Sequence, residues 1–283
     1  MGAGWQTDGQ LSWRQLTPYG VEVRTNLAGR LEQADIARLV RLFWRHSLLV
    51  APGQQLSLSR QREVLGWFGP VLLRDGESGV LSNQGEHAVV RSGLAFHADA
   101  AYTEHPFEAI ALHALDVVDG ASSTRFAHAE RALAKLPERL RQAIASREVD
   151  MITPGFSLLE QRVCDVPDPE FMQRGRRPTI LENPHSGQSY LNLSEMHAAQ
   201  LVGLEWADSR ELLRETFDYL YAPDNIAEHI WRRGDLVIWD NRALQHARGS
   251  LAAVGRRVLQ RVIVGSEGAA PHTLNPSPRP VAF

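Results

Sequence analysis

The stretch DLVIWDNRALQHARGSLAAVGRRVLQRVIVG, residues 235–265, is the most informative part of the sequence. Its beginning, DLVIWD, and its end, RVLQRVIVG, are apolar runs of strand length that predict two buried β-strands. His246 follows the first of these strands, where a loop at the mouth of a barrel would carry a functional residue. Taken alone, His246 is more simply explained as a loop histidine without a ligand, so its function has to be judged together with residues elsewhere in the chain.

The second strand carries two arginines whose spacing argues for a bound anion. Arg257 and Arg261 share one face of this strand, because alternate residues of a strand point to the same side. Both faces are rich in apolar residues, so we expect the strand to be covered on both sides, where a guanidinium without an anion is costly. The planar fork of arginine suits a carboxylate. The alternative is an edge strand whose arginines lie in water or pair with carboxylates of the protein.

A His-x-Asp pair lies far upstream, in GLAFHADAAYTEHP at residues 93–106. The preceding residues, 90–96, resemble the end of a strand, on which His97 and Asp99 would point to the same side. Two histidines and one carboxylate form the facial triad that holds a non-haem Fe(II) and leaves positions open for substrate and oxygen. Because the chain has 11 histidines, the pair alone could also be a surface histidine beside an aspartate in a turn.

The composition is that of an ordinary soluble globular protein, with 43% hydrophobic and 22% charged residues in 283. A net charge of −3 argues against a polyanion binder, and a single cysteine, Cys164, allows neither a disulfide within the chain nor a thiolate metal site. The first residues lack the segments of a signal peptide, and no apolar run has the length of a membrane span. We expect a cytoplasmic protein that binds a small molecule, with neither nucleic acid nor membrane as a partner.

The order of the patterns predicts an α+β fold with a core built from strands. We find no internal repeat and no linker, so we expect a single catalytic domain over residues 1–283, with its core at about 15–265 and a mobile C-terminal tail at 266–283. No glycine-rich phosphate motif follows a strand, which disfavours a dinucleotide-binding domain.

Individual elements follow from periodicity and turn residues. The segment 179–193 predicts a hairpin that turns at His185–Gly187. Asp208 and Glu211 have the spacing of a capping box and predict the start of a helix. Further strands are expected near 18–25, at 47–50 and between 80 and 118, and further helices at 31–46, 58–68 and 127–146, the last with a break at Pro137.

Five stretches together resemble the taurine dioxygenase (TauD/TfdA) family of Fe(II)/2-oxoglutarate oxygenases. They are FGPV at 68–71, HADAAY at 97–102, SSTRF at 122–126, PHSGQSYLNL at 184–193 and DLVIWDNRALQHA at 235–247. With Arg257 and Arg261, their order and spacing match the family over about residues 15–265. The WDNR run followed by the histidine and the two arginines is the most specific part of the match.

The resemblance implies a double-stranded β-helix (jelly-roll, cupin-like) core flanked by helices, with His97, Asp99 and His246 as iron ligands. It implies that 2-oxoglutarate chelates the iron and that its distal carboxylate meets Arg257 and the hydroxyl of Thr124. Arg261 would lie nearby and touch the cosubstrate or an anionic substrate.

The implied activity is oxidation of a small, acidic molecule by O2, most simply hydroxylation of a C–H bond, with release of succinate and CO2. Desaturation, ring closure and carbon–heteroatom cleavage remain open. Asp99 argues against a halogenase, because related halogenases carry a small residue there. Family members commonly form dimers or higher oligomers, so a homo-oligomer is expected.

The substrate pocket departs from the family pattern at several positions. Arg74 stands where taurine-type enzymes have a histidine, and Glu195 stands where an aromatic residue is usual, so taurine is not the expected substrate. Arg74 would favour an acidic substrate group, and Glu195 would face an amine, Arg74 or water. Tyr102 and Asn192 complete the expected pocket. Two other functions stay open at this point, a Zn²⁺ hydrolase that uses the same triad and a jelly-roll binder without activity.

Overall fold

The computed structural model describes residues 4–72, 79–85, 89 and 91–266. Arg74 and all of the expected tail except Ser266 therefore lie outside the described residues. No helix in the described part of the chain is long and apolar enough to cross a membrane.

The strands of the described residues are named β1 to β17 in chain order. They are Gln6–Asp8, Leu11–Gln15, Val21–Val23, Leu48–Ala51, Val80–Ser82, Leu94–His97, Phe107–Val117, Ser123–His128, Glu148–Pro154, Phe171–Pro178, Ile180–Glu182, Ser189–Leu191, Ala198–Leu201, Ile226–Ile230, Leu236–Asp240, Leu244–Arg248 and Arg257–Gly265. The helices α1 to α5 are Gln33–His46, Leu58–Gly66, Ala129–Lys135, Glu138–Ala145 and Trp206–Leu220.

Two large sheets form the core. The first has eight strands in the order β1-β2-β3-β4-β15-β7-β17-β5, and the second has four in the order β14-β8-β16-β6. Buried side chains of both sheets share one apolar layer, in which Phe126 and Leu244 of the small sheet pack with Leu259 and Ile263 of β17. The two sheets therefore face each other across this layer, as expected for a jelly roll.

Strand β17 is covered on both sides, as the sequence predicts. Leu259 and Ile263 belong to the layer between the sheets, whereas Val262 and Val264 pack under α1 and α2 in a second apolar cluster. Because residues of a strand alternate, Arg257 falls on the same face as Leu259 and points into the space between the sheets. The predicted strand pattern thus places the two arginines on the inner face.

Helices cover the outside of the strand core. Leu39 and Phe43 of α1 are fully buried against the outer face of the large sheet. Helix α5 packs its buried residues, among them Leu213 and Phe217, with α3, α4 and strands β9, β12 and β13 in a third cluster. The expected hairpin is confirmed, because β11 pairs antiparallel with β12.

Two local predictions are wrong. His246 lies within strand β16 and not in a loop, because the chain turns back directly after Asp240 and pairs with β6 and β8. The capping box at Asp208 and Glu211 does not form, since α5 already begins at Trp206 and its N-cap Glu205 makes no side-chain capping bond. An earlier start buries Ser209, whose hydroxyl instead accepts a hydrogen bond from the Leu201 N–H at 2.8 Å.

Candidate active site

The three residues of the expected triad come together at one end of the small sheet. His97 is the last residue of β6 and lies directly opposite His246 of β16 in the antiparallel register. Their ring centroids are 4.2 Å apart. Asp99 follows in a turn and not on a strand. One ligand atom from each of the three residues lies within 4.8 Å of those of the other two, so they could hold a metal ion.

A hydrogen bond orients the ring of His97 toward Asp99. The Nδ1 atom of His97 lies 2.9 Å from the carbonyl oxygen of Ala95, which favours the tautomer with its proton on Nδ1 and its lone pair on Nε2. This Nε2 lies 3.4 Å from Asp99 Oδ1, and the Nε2 of His246 lies 3.9 Å from the same oxygen. The Nε2 atoms of the two histidines therefore face the same carboxylate oxygen, an arrangement that suits a divalent metal.

The charge state of the cluster also suits a metal. Burial lowers the pKa of His246 to about 3, with a further contribution from the charge of His97. Burial alone would raise the pKa of Asp99, but the hydrogen bond to His97 and the charges of His246 and Arg261 lower it well below its usual range. At neutral pH a neutral His246 and an ionised Asp99 are the forms that bind metals.

A second part of the site is built around Trp231. The indole Nε1–H of this fully buried side chain donates to Thr124 Oγ1 at 3.0 Å. The guanidinium of Arg257 lies 6.0 Å from the centre of the same ring system. Thr124 comes from β8 and Arg257 from β17, so Trp231 brings together one residue from each sheet.

Arg257 has the environment of an anion-binding residue. It is only 4% exposed, and its Nε finds no hydrogen-bond partner among the described residues. Burial, and then the nearby charge of Arg248, lower its pKa to about 10, so the side chain remains charged at neutral pH. A buried cation of this kind is stable only when an anion compensates it.

Arg261 faces the triad itself. Its Nη1 lies 3.4 Å from Asp99 Oδ2, and about a third of its side chain is exposed. The two arginines of β17 thus separate into a buried position beside Trp231 and a partly open position beside the triad.

The residues expected to contact substrate have different environments. The hydroxyl of Tyr102 donates to Gln173 Oε1 at 2.7 Å, and burial raises the pKa of this tyrosine. The amide of Asn192 donates to the carbonyl of Pro178 at 3.1 Å and is buried. Asn192 is therefore engaged by the protein, whereas Tyr102 keeps its ring against His197 on the side of the triad.

Glu195 is not solvated, which corrects one of the expectations for this residue. Its carboxylate pairs with Arg162 at 2.7 Å and is only 15% exposed. The backbone N–H of Phe96 lies 3.5 Å from its other oxygen. Glu195 therefore contacts β6 through the Phe96 N–H, and no local pattern in the sequence indicates its partner Arg162, 33 residues away.

His197, a buried residue beside the triad, was not predicted from the sequence. Its ring meets that of His97 edge to face at 6.0 Å, and its Nδ1 lies 2.8 Å from the carbonyl of Ile152. Burial, followed by the charge of His97, lowers its pKa to about 4, so His197 is neutral at pH 7. No motif or spacing distinguishes this histidine from the others in the sequence, and Trp231 was overlooked for the same reason.

Comparison with known proteins identifies the family. Residues 12–263 match the family described as "Taurine catabolism dioxygenase TauD, TfdA family". The chain belongs to the TauD/TfdA family. Its membership agrees with the resemblance inferred from the sequence and covers most of the chain.

Individual relatives of this TauD/TfdA protein are distant but full-length. The chain is 26% identical to 3-((Z)-2-isocyanoethenyl)-1H-indole synthase of Fischerella ambigua, over 89% of this chain and 95% of that protein. It is 25% identical to (S)-phenoxypropionate/alpha-ketoglutarate-dioxygenase of Sphingobium herbicidovorans, over 85% of this chain and 89% of that protein. Among solved structures, AAD-2 in complex with Mn(II) and N-oxalylglycine has a TM-score of 0.75 at 20% identity, covering 90% of this chain and 97% of that one.

These comparisons confirm the expected fold and enzyme class. The TauD/TfdA protein has the α+β, jelly-roll fold of its structural neighbours. It is a dioxygenase that depends on Fe(II), 2-oxoglutarate and O2. The Zn²⁺ hydrolase and the inactive binder, the two alternatives left open by the sequence, are not favoured.

Proposed function

We propose that this dioxygenase oxidises a C–H bond of a small anionic molecule, most simply by hydroxylation, with His97, Asp99 and His246 as its iron ligands. The observation that carries the proposal is the convergence of the three ligand atoms within 4.8 Å. Two neutral imidazoles and one ionised carboxylate are the donor set of non-haem Fe(II) oxygenases.

The cosubstrate would occupy the space between the triad and Trp231. Arg257 and the hydroxyl of Thr124 would bind the distal carboxylate of 2-oxoglutarate. Support comes from the burial of Arg257, whose Nε has no hydrogen-bond partner among the described residues, and from the indole hydrogen bond to Thr124. Because Thr124 Oγ1 accepts from the indole, its own hydrogen is free to donate to a carboxylate.

The substrate would lie beside the triad, near Arg261, Tyr102 and His197. Arg261 would release Asp99 to the metal and receive an anionic group of the substrate, which agrees with a relative that acts on phenoxypropionate. His197 has its Nδ1 proton committed to Ile152, so its Nε2 would accept a hydrogen bond from the substrate. Asn192 and Glu195 would shape the pocket wall, because their side chains are engaged by the protein.

These positions indicate which part of the reaction the chain would contribute and which part the bound groups would contribute. Bound Fe(II), with 2-oxoglutarate and O2, supplies the oxidising power that breaks the C–H bond. The chain orients the cosubstrate through Arg257, orients the substrate through Arg261, and excludes water with the apolar layer between its sheets. Orientation and exclusion of water direct the oxidation to one bond of the substrate.

The test is an anaerobic titration of metal-free protein with Fe(II) and then 2-oxoglutarate. We expect the weak visible charge-transfer band of an iron–oxoacid chelate in the wild-type protein and its loss in His97→Ala and His246→Ala. His105→Ala, which changes an exposed histidine of the same segment, is the matched control and should keep the band. Iron binding without the band would contradict the cosubstrate site, and a band that survives in His97→Ala would contradict the ligand assignment.

A further inference from the structure

The side chain of Asn241 holds the backbone of Asp99. Its Nδ2 donates to the Asp99 carbonyl at 2.9 Å, and its Oδ1 accepts from the Asp99 N–H at 3.0 Å, across 142 residues of sequence. The second amide hydrogen bond runs to the carbonyl of Phe107 at 3.1 Å. Asn241 is 2% exposed. Both hydrogens of its Nδ2 and its Oδ1 have partners in these contacts.

This contact compensates for a weak hold on Asp99 elsewhere. The residue lies in a turn, so no strand ladder fixes it, and the described residues offer its peptide groups no other hydrogen bond than those to Asn241. The carboxylate itself is 3.4 Å from His97, 3.9 Å from His246 and 3.4 Å from Arg261. These contacts are longer than ordinary charge-assisted hydrogen bonds, so they hold the carboxylate only weakly and its direction depends also on its backbone.

The turn also contains a residue in an unfavourable conformation. Ala100 has a φ of 58°, the left-handed region that residues with a Cβ disfavour. Thr103 closes the turn by donating to the Ala100 carbonyl from its backbone N–H at 2.9 Å and from its hydroxyl at 2.8 Å. A strained residue of this kind persists only where its surroundings hold it in place, and Asn241 holds the neighbouring peptide.

We propose that Asn241 is a positioning residue, which keeps the Asp99 turn in its strained form so that the carboxylate meets His97 and His246. The inference rests on the proposed function, because it presupposes that these three residues bind the metal. Asn241 follows the last residue of β15, and the chain then returns as β16 with His246. One side chain thereby ties the turn of one ligand to the segment that carries another.

The first experiment measures the affinity of metal-free, full-length protein for Mn(II), followed by electron paramagnetic resonance. We expect Asn241→Ala to weaken Mn(II) binding about 10–100-fold, the usual cost of losing a partner that orients a metal ligand. Asn225→Ala is the matched control, because Asn225 is also fully buried and donates to two backbone carbonyls, those of His128 and Leu220. The control should lower the melting temperature and leave Mn(II) affinity unchanged.

The second experiment asks whether relief of strain restores the site. Glycine adopts a positive φ without penalty, so Ala100→Gly removes the tendency of the turn to relax. In the Asn241→Ala background we expect Ala100→Gly to recover roughly fivefold in Mn(II) affinity, with little effect in the wild-type background. If Asn241→Ala weakened Mn(II) binding only by lowering overall stability, Ala100→Gly would not restore the affinity.

The outcomes separate the inference from the function on which it rests. Wild-type Mn(II) affinity in Asn241→Ala, or a loss that Ala100→Gly does not partly restore, would overturn the positioning role. If Asn241→Ala does not fold, Asn241→Asp gives the same decision, because it keeps the volume and loses the N–H donors to Asp99 and Phe107. A wild-type protein that binds Mn(II) no better than His97→Ala would overturn the metal site. This comparison does not involve Asn241, so it tests the proposed function separately.

Discussion

At the scale of single residues, the two arginines of β17 have separate environments although they share a strand face. Arg257 is buried next to Trp231, and Arg261 is partly open next to Asp99. Burial removes water from the first, so an anion bound there contributes more than one bound at the second. This difference supports the proposal that the cosubstrate carboxylate binds at Arg257 and that the substrate binds near Arg261.

Replacing Arg257 should weaken the binding of 2-oxoglutarate more than the binding of the metal. We expect Arg257→Ala to reduce 2-oxoglutarate affinity by roughly 2 kcal/mol or more, because a buried carboxylate would lose its cation. Titration of the Fe(II) protein with 2-oxoglutarate measures this loss. Arg256→Ala is the control, since the guanidinium of Arg256 is exposed and pairs with Asp116 at 2.9 Å. Equal 2-oxoglutarate affinity in the Arg257 and Arg256 variants would show that the cosubstrate carboxylate does not bind at Arg257.

Replacing Trp231 tests how Thr124 is oriented. Trp231→Phe keeps an aromatic ring but removes the N–H that donates to Thr124. We expect 2-oxoglutarate affinity to fall by about 0.5–1.5 kcal/mol, the value of one hydrogen bond, while Mn(II) affinity stays unchanged. Trp206→Phe, at the start of α5 beneath Arg210, should change neither affinity. An unchanged cosubstrate affinity in Trp231→Phe would show that Thr124 needs no such partner.

Among the secondary-structure elements, the helices outside the sheets contribute to stability, whereas the proposed metal ligands lie on strands and on one turn. Helix α5 buries Leu213 and Phe217 in the third apolar cluster, whereas the triad lies on β6, β16 and the turn after β6. Stability and metal binding should consequently respond to different substitutions.

A core substitution in α5 tests this separation. Leu213→Ala should lower the free energy of unfolding by about 2–5 kcal/mol, since Leu213 is fully buried. Leu212→Ala, at the next and only half-buried position, should cost less. Urea unfolding measures both, and Mn(II) affinity should be the same in the two folded variants. A loss of metal binding in folded Leu213→Ala would mean that α5 and the triad are coupled.

At the scale of the whole molecule, Glu108 connects three separate parts of the chain. Its carboxylate in β7 accepts two hydrogen bonds from Arg242, at 2.8 and 2.6 Å, and lies 3.2 Å from His185 of the β11–β12 hairpin. Burial alone would raise the pKa of Glu108, but the hydrogen bonds and charges of His185 and Arg242 lower it to about 2. The folded state therefore favours the ionised form.

This lowered pKa predicts an acid-sensitive contribution to stability. The folded pKa lies below the ordinary value of 4.5, so the contribution is present above pH 4.5 and is lost as the pH falls toward 2. Urea unfolding at several pH values should show stability decreasing across this window. Glu108→Gln, which cannot ionise, should be less stable at pH 7 and show a smaller decrease. An equal decrease in both proteins would assign the acid sensitivity to other carboxyl groups.

Features that depend on a local pattern could be predicted from the sequence alone. Alternation along residues 257–264 predicted a strand covered on both faces, turn residues predicted the β11–β12 hairpin, and motif order indicated the family. Each of these signals lies within a few consecutive residues, where periodicity and backbone preference act directly. The triad could be proposed because its residue types and order were visible in the sequence.

The folded structure was needed to show how those residues contact one another. It paired His246 with His97 on adjacent strands, put Asp99 in a turn, and joined that turn to Asn241. It also gave Glu195 its partner Arg162 and brought Trp231 between Thr124 and Arg257. These contacts join residues far apart in the chain, and a single sequence carries no local signal for them, because their partners are set by strand pairing and packing across the whole core.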